Sequence, residues 1–316
     1  MGHYLLRRLI SLALVVFGVT VVVFLIIHIA PGDPAQIMLG AQARPEDLVT
    51  LRHELGLDQP VYVQYATWID HAVHGDLGRS ISLHRPVLNE VVSRFKNTLL
   101  LSIAAMLISF PLGIGIGVVS AVKRGALLDR LFILLATLGL SLPSFWFAMM
   151  LIIVFSVKLR WLPGAGMSSP IGPGGPLDVA KHMILPAIAL SVIPLAVIAR
   201  YTRSSMLEVI SQEFVTTARA KGLTDYAVVI RHVFRNTLVL IVTMLGLQIG
   251  FLLAGAVYIE NVFSWPGVGQ LLVNAILKRD FPLVQGGVLL VALSYVVINL
   301  LTDLTYAYLD PRIRLS

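Results

Sequence analysis

Long apolar runs separated by short polar segments dominate this chain of 316 residues. A bilayer's hydrocarbon core is about 30 Å thick and a helix rises about 1.5 Å per residue, so a span needs about 20 mostly apolar residues. The fourth of the runs is short and contains two prolines, so we expect a kinked helix there. We predict six transmembrane helices, at Leu9–Ile29, Thr98–Val122, Leu131–Val157, Ile184–Ala199, Leu238–Tyr258 and Val284–Tyr306.

The composition agrees with a membrane protein whose fold class is all-α. Apolar residues make up 57% of the chain and charged residues only 13%, whereas a soluble domain is about a quarter charged. The mean hydropathy is +0.86. The chain has no cysteine, which excludes a disulfide scaffold, a thiolate metal site and a cysteine nucleophile.

The distribution of Lys and Arg predicts the orientation of the spans. With the amino terminus inside, the inner segments 1–8, 123–130, 200–237 and 306–316 hold 13 Lys and Arg in about 65 residues. The outer segments hold 11 in about 118 residues. This excess on the inner side predicts that both termini are cytoplasmic, and it explains the net charge of +7 without nucleic-acid binding.

We predict two parts, residues 1–96 and residues 97–316. The first part holds the first span, interpreted as retained rather than cleaved, and a long outer loop. In that loop a helix opens at Pro45 and ends near Gly56, and an amphipathic helix follows. Its Tyr62, Tyr65 and Trp68 suit the headgroup zone. A helical cap on the membrane surface and a contact for a docking partner both fit this loop.

A polar, basic segment interrupts the apolar pattern at residues 200–237. "SQEFVTTARAK" predicts a short helix that ends at Gly222, where a left-handed residue is needed. Thr224 or Asp225 then caps a second helix that leads into the fifth span. Small side chains and basic residues on a short helix suit mechanical contact with another protein rather than catalysis.

Several separated motifs resemble the permeases of binding-protein-dependent ABC importers, in the dipeptide and oligopeptide subfamily. "TARAKG" followed by "RHVFRN" is similar to the cytoplasmic loop of that family. The resemblance covers nearly the whole chain, through "APGDP", "LGLDQPVYVQY", "LGLSLPSFW", "VFSWPGVGQLL" and the ending "NLLTDLTYAYLDPRIR". It implies the type I ABC importer permease fold: six spans with a cytoplasmic coupling-helix loop at about 200–237.

The resemblance also implies a division of labour between subunits. This chain would form a pathway with a homologous permease in the inner membrane, hold no cofactor and catalyse no reaction. Two partner ATPase subunits would bind ATP and Mg and would contact the coupling loop, and an extracytoplasmic binding protein would deliver the substrate. The residues implied in the contact are Glu213, Thr216, Thr217, Ala218, Arg219, Ala220, Lys221, Gly222, Leu223 and Thr224.

The chain departs from the general loop pattern of ABC importers at two positions. Thr216 stands where that pattern has Glu, and Arg235 where it has Pro. The small Ala218 and Gly222 persist. The resemblance therefore supports the docking shape but not a role for the usual glutamate.

Irregular sequences inside the spans suggest a moving pore wall. Gly113 and Gly117 have the spacing that allows close contact between helices. Pro143 removes one backbone hydrogen bond, and Ser141 or Ser144 is expected to satisfy the released carbonyl. Either a translocation path or ordinary helix packing explains the set Ser141, Pro143, Phe145 and Trp146.

The sequence lacks the motifs that would indicate other functions. No GxxxxGK[ST] phosphate loop occurs, so ATP hydrolysis belongs to another chain. His71 and His74 are neighbours on a helix, but no further ligand converges on them, and we predict no metal site. The scarcity of ionisable residues inside the spans disfavours a proton-driven transporter. A permease for nickel, glutathione or another peptide-like solute stays open, as does a standalone channel or membrane anchor.

Overall fold

The computed structural model describes residues 2–29, 34–39, 43–54, 56–169 and 174–309, which fold into helices, turns and loops. Within these ranges the only β pairing is one isolated bridge between Arg79 and Pro86. The helices are α1 Gly2–Ile29, α2 Pro34–Leu39, α3 Pro45–Glu54, α4 Val61–Val73, α5 Val87–Val122, α6 Leu127–Ser141, α7 Ser144–Leu151, α8 Pro176–Ile210, α9 Glu213–Ala220, α10 Asp225–Ala227, α11 Arg235–Val262, α12 Val268–Leu277 and α13 Phe281–Leu309. Two π-helical stretches, Ile152–Lys158 and Val228–Phe234, continue α7 and α10.

Four helical stretches in the described residues are long and apolar enough to cross a bilayer: Val87–Val122, Pro176–Ile210, Asp225–Val262 and Phe281–Thr302. Leu127–Ser141 and Ser144–Lys158 meet the criterion together but are bent by 103° at the break between them. The third predicted span therefore breaks at Pro143, the irregularity noted in its sequence, because proline cannot donate to the helix ladder. Two shorter apolar stretches, Ile10–Leu25 and Val268–Leu277, remain in the described residues, so the count of six stays a prediction.

The fourth apolar run extends well beyond its predicted ends. Helix α8 has 35 residues and includes Pro186 and Pro194, where the hydrophobic run alone predicts a short span. It is the most buried of the candidate spans, since 61% of its most apolar window is buried. Its carboxyl end continues as a helix with one buried face, including Thr202 and Ser205, and one exposed face, including Arg200 and Ser204, which a mean hydropathy does not register.

Contacts divide the chain into two compact units. One comprises Thr98–Pro266 and Val297–Ser316, and the other Met1–Asn97 and Gly267–Val296. The sequence predicts a division near residue 96 but gives no sign that 267–296 groups with the amino-terminal part. The predicted two-part division at 96/97 stays a prediction.

In the larger unit α8 packs against α6, α7 and α11. Its buried Leu185 and Leu190 join a core with Leu101 of α5 and Leu252 of α11. Glycines allow α5 to approach α8 closely: a Cβ at Gly113 would lie 2.9 Å from Ile198 Cγ2, and one at Gly117 2.6 Å from Thr202 Cβ. The predicted close helix contact at this pair of glycines is confirmed.

In the smaller unit α4 packs against α1. Tyr65 and Trp68 are half-buried and lie 5.3 and 6.1 Å from Phe24 between ring centroids, and the Tyr65 hydroxyl lies 2.8 Å from Thr20 Oγ1. These contacts tie α4 to α1, whereas Tyr62 is 75% exposed. The headgroup location of the three rings stays a prediction. The first predicted helix of this loop is confirmed as α3, with Gly56 at a positive φ of +64° after it.

A buried carboxylate fixes the turn between α12 and α13 in the same unit. Asp280 Oδ2 accepts hydrogen bonds from Ser80 Oγ at 2.5 Å and from Ser82 N and Oγ at 2.8 Å each. Burial alone would raise the pKa of Asp280, but these hydrogen bonds from the serines outweigh it and hold the pKa below its ordinary value. The loop that carries the two serines is thereby tied to residues 200 positions away in sequence.

Candidate functional site

The basic segment forms the predicted helix–glycine–helix unit. Helix α9 ends where the amides of Lys221 and Gly222 donate to the carbonyls of Thr217 and Arg219, at 3.1 and 2.9 Å. Gly222 has φ +80°, in the left-handed region that favours glycine. Thr224 Oγ1 accepts from Ala227 N at 3.4 Å and caps α10, so Thr224 rather than Asp225 is the capping residue. These local predictions are confirmed.

One face of α9 is buried in a small core of its own. Val215 and Ala218 pack with Val228 and Val233 of the following helix and with residues at the carboxyl ends of α5 and α8. Those residues are Ala121, Met206 and Val209. The short helix is therefore fixed in position, because its buried face packs on the carboxyl ends of α5 and α8.

The opposite face of α9 and the turn after it are exposed. Ala218 alone among the predicted contact residues is buried, at 7% exposure, so it shapes the support beneath the helix rather than its outer surface. Gly222 has open space around it, since a Cβ there would meet nothing within 4 Å. The exposed members of the predicted set are Glu213, Thr216, Thr217, Arg219, Ala220, Lys221, Gly222, Leu223 and Thr224.

Two aromatic residues on this surface were missed from sequence. Phe214 is 38% and Tyr226 76% exposed, and Leu223 between them is 42% exposed. Arg219 Nε lies 3.5 Å from Asp225 Oδ1 in a solvent-exposed pair, which contributes little to stability. Large apolar side chains in an otherwise polar segment were the available signal, because such residues are enriched at protein–protein contacts.

An ion pair with a buried carboxylate and a partly exposed arginine braces the helix ends beneath this segment. Arg203 of α8 donates from Nε and Nη2 to Asp129 Oδ1 and Oδ2 of α6, at 2.8 and 3.0 Å. The same carboxylate accepts from the hydroxyl of Ser120 in α5 and from Gly125 N at 2.9 Å. The side chain of Asp129 in α6 is thus linked to both α5 and α8. Sequence reasoning missed the pair, because its members are 74 residues apart and no local pattern links them.

The four predicted path residues lie at the bend between α6 and α7. Ser141 Oγ donates to Thr137 O at 2.9 Å, not to the Gly139 carbonyl that Pro143 leaves without its helical donor. Within the described residues the Ser144 hydroxyl makes no hydrogen bond either, so the expected repair by Ser141 or Ser144 is wrong. Phe145 and Trp146 are 54% and 43% exposed on this chain. The geometry brings all four to one break in one helix pair, and their role in a path stays a prediction.

The sequence matches two family descriptions in order along the chain. Residues 1–102 match the amino-terminal part of binding-protein-dependent transport system membrane components, and residues 113–315 match the binding-protein-dependent transport system inner membrane component.

Curated relatives are similar over their whole length. The chain is 45% identical to the dipeptide transport system permease protein DppB of Escherichia coli K12, covering 99% of both chains. It is 43% identical to the glutathione transport system permease protein GsiC of an Escherichia coli O6:H1 strain, again covering 99% of both.

Solved structures show the same fold at low sequence identity. Two inward-facing crystal forms of the MetNI methionine ABC transporter contain a chain that matches with TM-scores of 0.55 and 0.57, at 18% and 20% identity. Each match covers 70% of this chain and 96% of that one. The fold is therefore that of a type I ABC importer permease. With the family matches above, it shows that the chain belongs to the binding-protein-dependent transport system inner membrane components, as a multi-pass permease subunit rather than an enzyme.

Proposed function

We propose that this chain and a homologous permease together form the pathway by which dipeptides or oligopeptides enter the cell. The observation that supports this substrate class is the 45% identity to a dipeptide permease over 99% of both chains. Glutathione is the second candidate, because a glutathione permease is 43% identical over the same share of the chain. Glutathione is itself a tripeptide, so both candidates require a pathway that accepts peptide backbone and a free carboxylate.

The partners follow from the family. Two ATP-binding subunits would hold ATP and Mg on the cytoplasmic side and contact α9, and a substrate-binding protein would deliver the peptide from outside. Both termini of this chain would be cytoplasmic, in agreement with the excess of Lys and Arg in the segments assigned to that side.

The proposed coupling mechanism depends on the two faces of α9. The exposed surface of α9, the turn after it and α10, with Phe214, Leu223 and Tyr226, would be held by an ATP-binding subunit. The buried face of α9 packs through Val215 and Ala218 on the ends of α5 and α8. Since packed interiors deform little, a displacement of α9 by the docked subunit would be passed to these long helices. Alternating closure and opening of the ATP-binding subunits would then move the helices that frame the pathway.

Uptake by the reconstituted transporter tests the substrate. Proteoliposomes with the complete complex and its binding protein should accumulate a labelled dipeptide in an ATP-dependent manner, and equimolar glutathione should leave the rate unchanged. Competition between the two ligands is informative because the dipeptide and glutathione both carry a free carboxylate but differ in backbone linkage and length. Accumulation of glutathione without accumulation of dipeptides would assign the chain to the second candidate instead.

Site-directed cross-linking tests the docking of α9. Because the native chain has no cysteine, Ala220→Cys introduces a single exposed thiol, and Ala218→Cys introduces a buried one two residues away. A thiol-to-amine cross-linker should capture an ATP-binding subunit from the exposed Ala220→Cys position, and the yield from Ala218→Cys should be at least about tenfold lower, because burial shields the thiolate from the reagent.

The buried Ala218→Cys variant controls for cross-linking that general proximity alone would give. Equal capture from both positions, or capture from neither in a complex that still hydrolyses ATP, would contradict docking through the exposed face of α9.

A further inference from the structure

A second polar site lies in the larger unit, between α6, α8 and α11, and none of its lining residues belongs to α9 or to the turn after it. It is a cavity of about 510 Å³, within the range of about 300–1,000 Å³ typical of small-molecule sites. Its lining combines arginines and hydroxyl groups of α8 with apolar side chains of the other two helices: Arg200, Tyr201, Arg203, Ser204, Leu140 and Met244.

The two arginines of this cavity are not equivalent. Arg203 already gives two donors to the buried carboxylate of Asp129, so its charge is balanced. Arg200 is exposed and makes no hydrogen bond or ion pair within the part of the chain that the structure describes. The cavity therefore holds one positive charge that nothing in the described residues compensates.

A guanidinium without a counter-charge beside a cavity attracts anions, because charges in a cleft with low-dielectric walls are less screened than in bulk water. Arg200 directly follows the apolar run Ile184–Ala199 of α8, on a helix that qualifies as a membrane span. Ser204 lies one turn further along the same face. A guanidinium group with hydroxyl donors beside it matches the needs of a carboxylate or phosphate, because its planar fork can donate two parallel hydrogen bonds.

We propose that this cavity is an anion-binding site, in which Arg200 holds the α-carboxylate of a peptide in transit and the hydroxyls of Tyr201 and Ser204 add hydrogen bonds. The identity of the ligand rests on the proposed peptide-transport function, whereas the anion site itself rests on the geometry. The apolar remainder of the cavity, with Leu140 and Met244, accommodates peptide side chains without reading their identity.

A single thiol placed in the cavity measures its electrostatic preference. Ser204→Cys gives an exposed thiol one turn from Arg200 in a chain with no other cysteine. In the complete transporter, in phosphatidylcholine nanodiscs, we expect an anionic methanethiosulfonate (sulfonatoethyl) to modify it faster than a cationic one (trimethylammonioethyl). The rates are measured on this chain by mass spectrometry and corrected for the reactivity of a free thiol.

Neutralising the arginine should remove the preference. Arg200→Gln in the Ser204→Cys background is expected to lower the anionic-to-cationic rate ratio roughly tenfold, the size of a Coulomb interaction over several ångströms in a partly screened site. Arg130→Gln is the matched control, since Arg130 is exposed on α6 and does not line the cavity. An unchanged ratio in Arg200→Gln would overturn the anion site, and this result does not depend on whether the complex transports peptides.

Protection experiments identify the source of the anion. Dialanine should slow modification of the thiol, whereas dialanine amide, which lacks the carboxylate, should not. Phosphatidylglycerol in the nanodisc should also give no protection. Equal protection by the amide would overturn carboxylate recognition, and protection by phosphatidylglycerol without protection by dialanine would overturn the peptide ligand and assign the same cavity to a lipid phosphate.

Discussion

Replacing Arg203 by methionine is expected to lower the free energy of unfolding by about 3–5 kcal/mol, the usual cost of leaving one member of a buried ion pair without its partner. The affected carboxylate is Asp129, which is 2% exposed. It would keep only the hydrogen bonds from Ser120 and Gly125, which do not supply a compensating charge. The junction of α5, α6 and α8, which supports α9, would therefore loosen.

A double replacement separates the ion pair from simple loss of packing. Asp129→Leu combined with Arg203→Met removes both charges, and we expect it to recover most of the lost stability, because an apolar pair of similar volume can replace a buried ion pair. Arg130→Met is the control on the same helix, where the arginine is exposed. Apparent unfolding temperatures of the purified complex, compared at one heating rate, report the effect. A single Arg203→Met variant as stable as the native protein would show that the brace contributes nothing.

Gly117→Ala is expected to destabilise the contact between α5 and α8 by about 1–3 kcal/mol through overpacking. The added Cβ would lie 2.6 Å from Thr202 Cβ and 2.7 Å from Ala199 O. The second of these is a backbone atom and cannot turn away, so the two helices would have to separate. Because α5 and α8 also support α9, we expect peptide-stimulated ATP hydrolysis to fall together with the apparent unfolding temperature.

Gly115→Ala is a close control for this change. Gly115 belongs to the same helix, two residues earlier, and a Cβ there would meet nothing within 4 Å. The same substitution should therefore be neutral or slightly stabilising at Gly115, since alanine has the better helix propensity. If Gly115→Ala destabilises the protein as much as Gly117→Ala does, general helix effects rather than the close approach would account for both results.

Local patterns predicted much of the helix–glycine–helix unit formed by α9 and α10. A glycine after a short basic helix predicted a left-handed residue, and Gly222 has φ +80°. A threonine before the next helix predicted a cap, and Thr224 is that cap. Such features depend on neighbours within a few residues, so the sequence contains the information that they need.

The orientation of α9 could not be predicted from its sequence. Its sequence shows small, polar and basic residues, but not which of them face the core. Ala218 is buried and Phe214 is exposed, the reverse of what hydrophobicity alone favours. The reason is tertiary: α9 lies against the ends of α5 and α8 through Val215 and Ala218, so contact with these distant helices decides which of its residues are buried.

What the sequence by itself determined is the membrane class, the positions of most apolar helices, the family and the glycine-mediated contact of α5. All of these follow from the composition, from the spacing of residues within a single helix or from the order of motifs along the chain. Only the tertiary structure decided the 103° break after Ser141, the grouping of residues 267–296 with the amino-terminal unit, and the uncompensated charge of Arg200 beside the paired Arg203. These features depend on which distant segments meet, and the free energy of such contacts is not encoded in any local pattern.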